Sequence, residues 1–404
     1  MLLIMLERLR IVVTGLAATY PFGGVFWDYL QYPLGFHRLG HDVLYLEDTG
    51  RWVYDPVLQT FTESGRTNAE LLAKLITALE PELKDRWYVR DAAGNTFGKS
   101  PEQVAEFCRS ADLFIHVSAS CWMREEYFAA RRVVFIDSDP IYTQSAVPYY
   151  VDGTVNDLAR SQVDMLRRHH VHFTFAENIN APDCRVPTEL FNWIPTRQPI
   201  VLDQFAAQVP VESRRRVLTT VASWEPSEKG PTVNGVTYCG KSVEFKKFMA
   251  LAKRSPVPLE IAISGAVPRD ELRAAGWTLR EGFEVSGDPW AYRDFLANSL
   301  GEWSVAKNAY VASRSGWFSC RSACYLALGV PVIVQDTGFT KYIPPGDGLI
   351  AFNTIDEALA GIGQVLSDPA RHAEGAVEIA RQYFDSSKVL TRLIEQSFSS
   401  TARA

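Results

Sequence analysis

The sequence is poor in several features that would point to particular classes of protein. Its six cysteines include no C-x-x-C pair, so we expect reduced, buried thiols and a cytoplasmic location. A net charge of −6 argues against a general polyanion or anionic-membrane binder, because such partners require a basic face. Nucleic acid is therefore not an expected partner.

Long apolar runs and repeats are also missing. Residues 1–5 are apolar, but Glu7, Arg8 and Arg10 interrupt the run, so we expect neither a signal peptide nor integral membrane association. No internal repeat occurs at a solenoid period. The loop from Gly15 to Gly24 has no G-x-G-x-x-G pattern, which argues against a dinucleotide cofactor.

What is present fits an enzyme of two α/β domains. The chain has 404 residues, of which 47% are hydrophobic and 22% charged. Three prolines between Pro195 and Pro210 indicate a linker. We therefore place one Rossmann-like domain at residues 1–200, a second at 211–380, and a C-terminal helix at 381–404.

The segment from Arg314 to Gly338 has the clearest local pattern. Ser319 is expected to cap a helix that Gly329 and Pro331 end. A strand, turn, helix and strand of this length form a βαβ unit, whose ligand sites lie beyond the carboxyl ends of its strands. The flanking strands are expected at residues 309–312 and 331–334.

The start of this helix is suited to an anion. Unpaired N–H groups and the positive end of the helix dipole point at the space above Ser319. Ser315, Gly316 and Arg321 add a hydroxyl, close backbone approach and a positive charge. Phosphate is the natural candidate, and a capped turn without a ligand is the alternative.

Three short motifs resemble the donor site of two-domain, GT-B-type glycosyltransferases. Plant-type members have a Gly-Trp-x-Ser turn that grips an anion, a helix that ends in Gly-Val-Pro, and an Asp-Gln pair that contacts the donor sugar. The matching residues are Gly316-Trp317-Phe318-Ser319, Gly329-Val330-Pro331 and Gln335-Asp336. Over most of its length the chain also resembles a group of bacterial glycosyltransferase-like proteins, which share the sequences at 315–319 and 335–339.

The sequence departs from the plant-type signature at several positions. Arg314-Ser315 stands where a histidine is expected, the helix is two residues longer, and the acidic pair is reversed. Retaining members carry two glutamates eight positions apart, and their places fall on Gly316 and Cys324. We therefore expect an inverting course.

The resemblance implies two Rossmann-like domains that face a cleft, with the last helix crossing back to the first domain. It also implies a nucleotide-diphosphate sugar bound mainly by the second half, with no cofactor and no essential metal. A solvated lysine at a helix end is the alternative reading of Lys241. The expected donor-binding residues are Ser223, Lys241, Lys307, Arg314, Ser315, Gly316, Ser319, Cys320, Arg321, Gln335, Asp336 and Thr337.

The acceptor is expected in the first half, near the Gly-rich loop and at the ends of strands. Core packing is the alternative role of Trp27. The candidate acceptor-binding residues are Gly23, Gly24, Trp27, Asp137, Asp139, Glu177 and Asn178.

Two residue clusters contain side chains of the kind that bind metals, but we expect no metal site at either. Asp137 and Asp139 resemble a metal–diphosphate pair, but two carboxylates alone bind magnesium weakly, so a strand-end turn is favoured. His169, His170 and His172 would leave two zinc coordination positions empty.

Asp28 is the candidate catalytic base. It follows the Gly-rich loop, near the place where the resembling proteins have a histidine. Burial beside its aromatic neighbours would raise its pKa and improve it as a base. The alternatives are that Asp28 caps the helix, or that His37 or His116 is the base, although Pro33 is expected to kink or split the helix before His37.

The sequence therefore predicts a glycosyltransferase that moves a sugar from a nucleotide-diphosphate donor to a hydroxyl of a small molecule or glycan. One alternative is a sugar-nucleotide epimerase of related fold, which needs no acceptor. The other is a nucleotide-sugar-binding protein without turnover.

Overall fold

A computed structural model describes residues 8–206, 209–224 and 230–399. These residues fold into two α/β units, one on each side of the predicted linker. The apolar run at residues 1–5 lies outside the described residues.

The first unit is built around an eight-stranded sheet. Its strands and those of a small hairpin are β1 (Arg10–Thr14), β2 (Asp42–Asp48), β3 (Val53–Asp55), β4 (Thr60–Thr62), β5 (Trp87–Arg90), β6 (Thr96–Gly98), β7 (Leu113–Val117), β8 (Arg132–Asp137), β9 (Val171–Thr174) and β10 (Trp193–Pro195). The sheet order is β10-β9-β8-β7-β1-β2-β5-β6, parallel except for the pair β5 and β6. The strands β3 and β4 form the separate antiparallel hairpin. The helices are α1 (Gly23–Arg38), α2 (Arg66–Leu79), α3 (Pro101–Arg109), α4 (Val147–Val151) and α5 (Asp157–Arg167).

The second unit is built around a six-stranded parallel sheet. Its strands and those of another hairpin are β11 (Arg215–Trp224), β12 (Thr232–Val233), β13 (Val236–Thr237), β14 (Leu259–Gly265), β15 (Thr278–Glu281), β16 (Ser299–Ser304), β17 (Val332–Gln335) and β18 (Leu349–Phe352). The sheet order is β15-β14-β11-β16-β17-β18. The helices are α6 (Lys241–Lys246), α7 (Leu251–Arg254), α8 (Arg269–Ala274), α9 (Gly282–Ser286), α10 (Pro289–Ala297), α11 (Asn308–Ser313), α12 (Cys320–Ala327), α13 (Ile355–Ser367), α14 (Pro369–Ile379) and α15 (Ser386–Ser399). No helix within the described ranges is long and apolar enough to cross a bilayer.

Both sheets have a topological switch point beside their first strand. In the first sheet β1 lies between β2 and β7, and in the second β11 lies between β14 and β16. The chain therefore leaves the opening strand in one direction and later returns to its other side. Such an arrangement leaves a crevice at the carboxyl ends of the strands, where ligands of parallel α/β proteins bind.

Within the described residues, the chain crosses between the units twice. The first crossing follows β10, which ends at Pro195, and leads to β11. The second is a π-helical turn, Ala380–Phe384, which leads into α15. The N–H of Ile200 donates to the carbonyl of Phe384, and the N–H of Ser386 donates to the carbonyl of Ile200, so the two crossings are joined.

Helix α15 packs on α1 of the first unit, as predicted for the last helix. The contact is close at Gly35, where an added methyl carbon would lie 2.5 Å from Cδ1 of Leu390. A glycine at this position therefore lets the two helices approach each other.

Some local predictions are wrong. Residues 309–312 lie in helix α11, and the strand before the central helix is β16. The pattern of β16 was misleading because this buried strand contains a charged residue, Glu302, which is paired with Arg321. Pro33 does not split α1, because the helix is buried along most of its length and tertiary packing outweighs the lost hydrogen bond.

Candidate active site

A cavity of about 470 Å³ lies between the two units, at the crevice formed by their switch points. The first unit contributes the start of α1. The second contributes the ends of β11 and β14, helices α9 and α10, and the start of α12. The predicted site residues that line it are Gly24, Trp27, Asp28, Ser223, Ser319, Cys320 and Arg321.

Asp28 lies on α1 and is partly exposed to this cavity. Burial raises the pKa of its carboxyl to about 6, while a hydrogen bond with the thiol of Cys320 lowers the pKa and the charge of Asp139 raises it. Such a carboxylate is a stronger base than an ordinary aspartate and is still deprotonated at neutral pH. The alternative that Asp28 caps α1 is wrong, because Phe22 is the cap residue.

The first turn of α12 lines the cavity beside Asp28, whose carboxylate is hydrogen-bonded to the thiol of Cys320. The helix starts at Cys320, directly after Ser319, as predicted, and Gly329 follows its end in the left-handed conformation with φ of +68°. The hydroxyl of Ser319 makes no capping hydrogen bond. The positive end of the helix therefore lines the cavity, which suits an anion.

Two protein contacts hold Arg321 at the edge of the cavity. Its Nε donates to Oε1 of Glu302 at 2.7 Å, and its Nη1 donates to the carbonyl of Val221 at 2.8 Å. Glu302 is fully buried. Arg321 therefore neutralises a buried carboxylate, whatever it contributes to a ligand.

A small side pocket adjoins the cavity beside Arg321, and Gln335 and Thr337 line it. Between them, the carboxylate of Asp336 accepts a hydrogen bond from the N–H of Gly338 at 2.9 Å. This is the local turn contact that an Asp-Thr-Gly segment favours.

The remainder of the predicted anion turn contacts the first unit. The N–H of Asn178 donates to the carbonyl of Ser315 at 2.9 Å, and its Nδ2 donates to the carbonyl of Arg314 at 2.8 Å. Arg314 also pairs with Asp183 at 2.7 Å. Gly316 has φ of +79°, and a methyl carbon there would lie 2.6 Å from the nitrogen of Asn178. These predicted donor and acceptor residues thus form an interdomain contact.

A second interdomain contact joins another predicted pair. Nζ of Lys307 lies 3.0 Å from the carboxylate of Asp139, and the hydroxyl of Tyr310 donates to the same group. Trp317 stacks on Tyr310 and donates from Nε1 to the carbonyl of Ser138 at 3.0 Å. The two units therefore meet through specific polar contacts around the cavity.

Asp137 and Glu177 are engaged within the first unit. Asp137 is fully buried, and its carboxylate accepts hydrogen bonds from Thr143 at 2.6 Å and Gln144 at 2.7 Å. Glu177 forms an ion pair with Arg197. Asp137 thus has the strand-end turn role that was the alternative to a metal site.

Three further predicted residues frame the cavity. Lys241 starts α6 and lines, with Ser223, a small pocket beside it. Trp27 is buried in the core, and its Nε1 donates to a backbone carbonyl of α10 at 2.8 Å. It therefore packs in the core and also lines the cavity. Gly23 lies against α10, where a methyl carbon would be 2.5 Å from Cβ of Tyr292.

The histidines lie elsewhere. Nδ1 of His116 is 3.1 Å from Nε2 of His169 in a buried stack, and burial lowers the pKa of His116 to about 3. His37, at the end of α1, pairs with Glu82. Within the described residues, no group of three or more His, Cys, Asp or Glu side chains is placed to hold a metal ion.

Sequence reasoning missed other lining residues. Ser264 closes β14 and could have been found, because strand ends line such sites. Gly282 and Phe283 follow β15, whose sequence is mostly polar and gives little strand signal. The remaining members are Phe22, Val25, Val221, Ala222, Ser286, Tyr292, Trp317 and Cys324.

Comparison with known proteins finds similarity in structure. No protein-family model matches the chain, and no curated protein sequence does. An alpha-glucosyltransferase solved with UDP and a 13-mer DNA aligns with a TM-score of 0.60 at 13% identity, over 96% of this chain and 100% of its own. AviGT4, a glycosyltransferase involved in avilamycin A biosynthesis, aligns with a TM-score of 0.53 at 14% identity, over 96% and 97%.

Anabaena HepE, solved with UDP and glucose, aligns with a TM-score of 0.53 at 13% identity, over 97% of this chain and 100% of its own. The chain has the GT-B fold. The predicted fold class is thereby confirmed along nearly the whole chain. In GT-B terms, the 470 Å³ cavity is the cleft between the two Rossmann-like domains.

Proposed function

We propose that this GT-B protein is a glycosyltransferase that uses a nucleotide-diphosphate sugar, and that its acceptor is a hydroxyl group. The observation that carries the proposal is that two functional groups line one cleft. One is the N-terminus of α12 with Arg321, and the other is the carboxylate of Asp28, which lies beside that N-terminus and is hydrogen-bonded to the thiol of Cys320. Four of the similar structures, two of an alpha-glucosyltransferase and two of HepE, were solved with UDP, which favours a UDP-sugar as donor.

The diphosphate is proposed to lie at the first turn of α12. Its negative charge grows as the bond to the sugar breaks, so the N–H groups after Ser319 and the guanidinium of Arg321 stabilise the leaving group. We propose that these hydrogen-bond donors take the place of a divalent cation, so that the reaction is metal-independent. The nucleoside would occupy the part of the cleft lined by Ser223, Ser264 and Gly282.

Asp28 is proposed as the general base. The acceptor oxygen attacks the anomeric carbon, its proton passes to the carboxylate of Asp28, and the nucleoside diphosphate departs with the electrons of the broken bond. Attack on the face opposite the leaving group inverts the anomeric centre. The proposed reaction requires no cofactor beyond the nucleotide sugar.

The first test is binding. The melting temperature is measured with UDP, UDP-glucose, the corresponding ADP and GDP compounds, and uridine. A ligand that binds only the folded chain increases the free energy of unfolding, by about 2.7 kcal/mol at a hundred times its Kd. The melting temperature rises as a result. If no nucleoside diphosphate or nucleotide sugar shifts the transition, the proposal fails.

The second test separates the alternatives. Each stabilising nucleotide sugar is incubated with and without a panel of hydroxyl acceptors, and the products are followed by proton NMR. A glycosyltransferase releases the nucleoside diphosphate and gives a glycoside of inverted anomeric configuration when an acceptor is present. A changed nucleotide sugar without acceptor would identify an epimerase, and binding without turnover would identify a binding protein.

A further inference from the structure

The hairpin of β3 and β4 exposes a group of apolar side chains, which we call the apolar ridge. It consists of Trp52 (57% exposed), Val57 (77%), Leu58 (64%) and Phe61 (50%). Isolated exposed apolar residues are common, but several on one hairpin indicate a binding surface.

The hairpin is held firmly by hydrogen bonds. The carboxylate of Asp55 accepts from the N–H groups of Val57 and Leu58 at 2.8 and 2.9 Å, which fixes the turn. Nδ2 of Asn68 donates to the carbonyl of Tyr54 at 2.8 Å, and the N–H of Tyr54 donates to the carbonyl of Thr19 at 2.9 Å. The ridge is thus presented by an ordered element.

Aromatic contacts connect the apolar ridge with the cleft. The rings of Phe61 and Tyr54 are 5.5 Å apart, and Tyr54 is 5.0 Å from Phe22 and 6.5 Å from Phe283. Phe22 and Phe283 line the 470 Å³ cavity. Val57 at the tip lies three positions after Tyr54, so the two residues are at most roughly 10 Å apart and the apolar surface begins close to the cleft.

We propose that the apolar ridge binds the uncharged apolar tail of an amphipathic acceptor, whose hydroxyl-bearing head lies in the cleft near Asp28. This inference rests on the proposed function, because it names the class of acceptor. Continuity of the ridge with the cleft favours this occupant, since a tail on the ridge leads directly into the cavity. The aliphatic tip at Val57 and Leu58 favours an alkyl or aryl tail over a glycan, which would require polar partners.

The test uses methyl, hexyl and octyl β-D-glucosides below their micelle concentrations, with affinities measured by calorimetry on the full chain saturated with UDP. Octyl glucoside should bind roughly a hundredfold more tightly than methyl glucoside, because each half-buried methylene contributes about a factor of two. The double variant Val57→Ser/Leu58→Ser should reduce this ratio at least tenfold. The control Val151→Ser/Leu158→Ser, which alters apolar residues of similar exposure (56% and 74%) elsewhere, should keep it.

Equal affinities of the wild type for octyl and methyl glucoside overturn the inference. So does an octyl-to-methyl affinity ratio that is the same in the ridge variant as in the wild type. The inference is also overturned if the ridge is required for binding to phosphatidylcholine vesicles while the affinity for the monomeric glucosides does not depend on chain length. That result would mean membrane docking. A dimer that the ridge variant dissociates would assign the surface to a second copy. Melting with UDP is measured in parallel, and a UDP shift without chain-length dependence leaves the proposed function standing while this inference fails.

Discussion

Nε of Arg321, in the first turn of α12, lies 2.7 Å from Oε1 of Glu302, in the buried strand β16. Glu302 is fully buried, and Arg321 is its ion-pair partner. One contact therefore connects the wall of the cleft with the centre of the second sheet. A substitution of Arg321 tests stability as well as binding.

Arg321→Ala should lower the free energy of unfolding by about 3 to 5 kcal/mol, because it leaves a buried carboxylate unpaired. Adding Glu302→Gln removes the buried charge and should restore a large part of that loss. Urea unfolding monitored by tryptophan fluorescence measures both. An Arg321→Ala chain as stable as the wild type would show that water reaches Glu302.

The double variant Arg321→Ala/Glu302→Gln also tests the phosphate site. UDP affinity should fall roughly ten- to hundredfold through the loss of a charge-assisted hydrogen bond, while uridine affinity stays nearly unchanged. Calorimetric titration with both ligands is the measurement. Equal losses for UDP and uridine would place the diphosphate elsewhere.

Asp28→Asn should reduce kcat by roughly 10²- to 10⁴-fold while UDP affinity is retained, because only the proton acceptor is removed. In the wild type, kcat/KM should rise with pH through about 6, the pKa that burial gives this carboxyl, since the base acts when deprotonated. The variant should lose this rise. Turnover within tenfold of wild type, or an unchanged pH profile, would exclude Asp28 as the base.

Gly316→Ala should destabilise the protein by about 1 to 3 kcal/mol, because φ of +79° strains alanine and its methyl would lie 2.6 Å from the nitrogen of Asn178. Gly363→Ala is the matched control. It lies within α13, where a methyl meets nothing within 4 Å, and alanine should stabilise the helix by about 0.5 to 1 kcal/mol. Thermal unfolding should therefore move in opposite directions for the two variants.

Acid should destabilise the folded protein through its buried histidines. Burial lowers the pKa of His172 to about 4, so between pH 6.5 and 4 the unfolded chain binds a proton that the folded chain does not. This group therefore makes the free energy of unfolding fall with decreasing pH, by up to about 1.4 kcal/mol per pH unit. His172→Phe should reduce that slope by nearly this amount. Equal slopes for His172→Phe and wild type would contradict the assignment.

The sequence predicted the elements whose pattern is set locally. The helix start after Ser319, the helix stop at Gly329 and the strand that follows it are predicted from turn residues and an apolar run, and the structure contains all three. The prediction failed for the strand before the central helix, β16. The ion-pair partner of Glu302 lies further along the chain, and no local pattern reveals it.

Only part of the candidate site was predictable, because some of its contacts are likewise between residues that are far apart in the sequence. Asp28 and Ser319 lie next to glycine- and serine-rich turns that mark the cleft. Arg314 was expected at a phosphate, yet it contacts Asp183, since the direction of a side chain at an interdomain surface depends on residues of the other domain. Tyr292 reaches the cavity from α10, and nothing in its local sequence indicates this.

The two crossings between the domains have a mechanical consequence. A single linker would allow the domains to swivel in any direction, whereas two adjacent chain segments, joined at Ile200 and Phe384, act as a pair of straps. Opening of the cleft is then a rotation about the line of the straps, with little twist or translation.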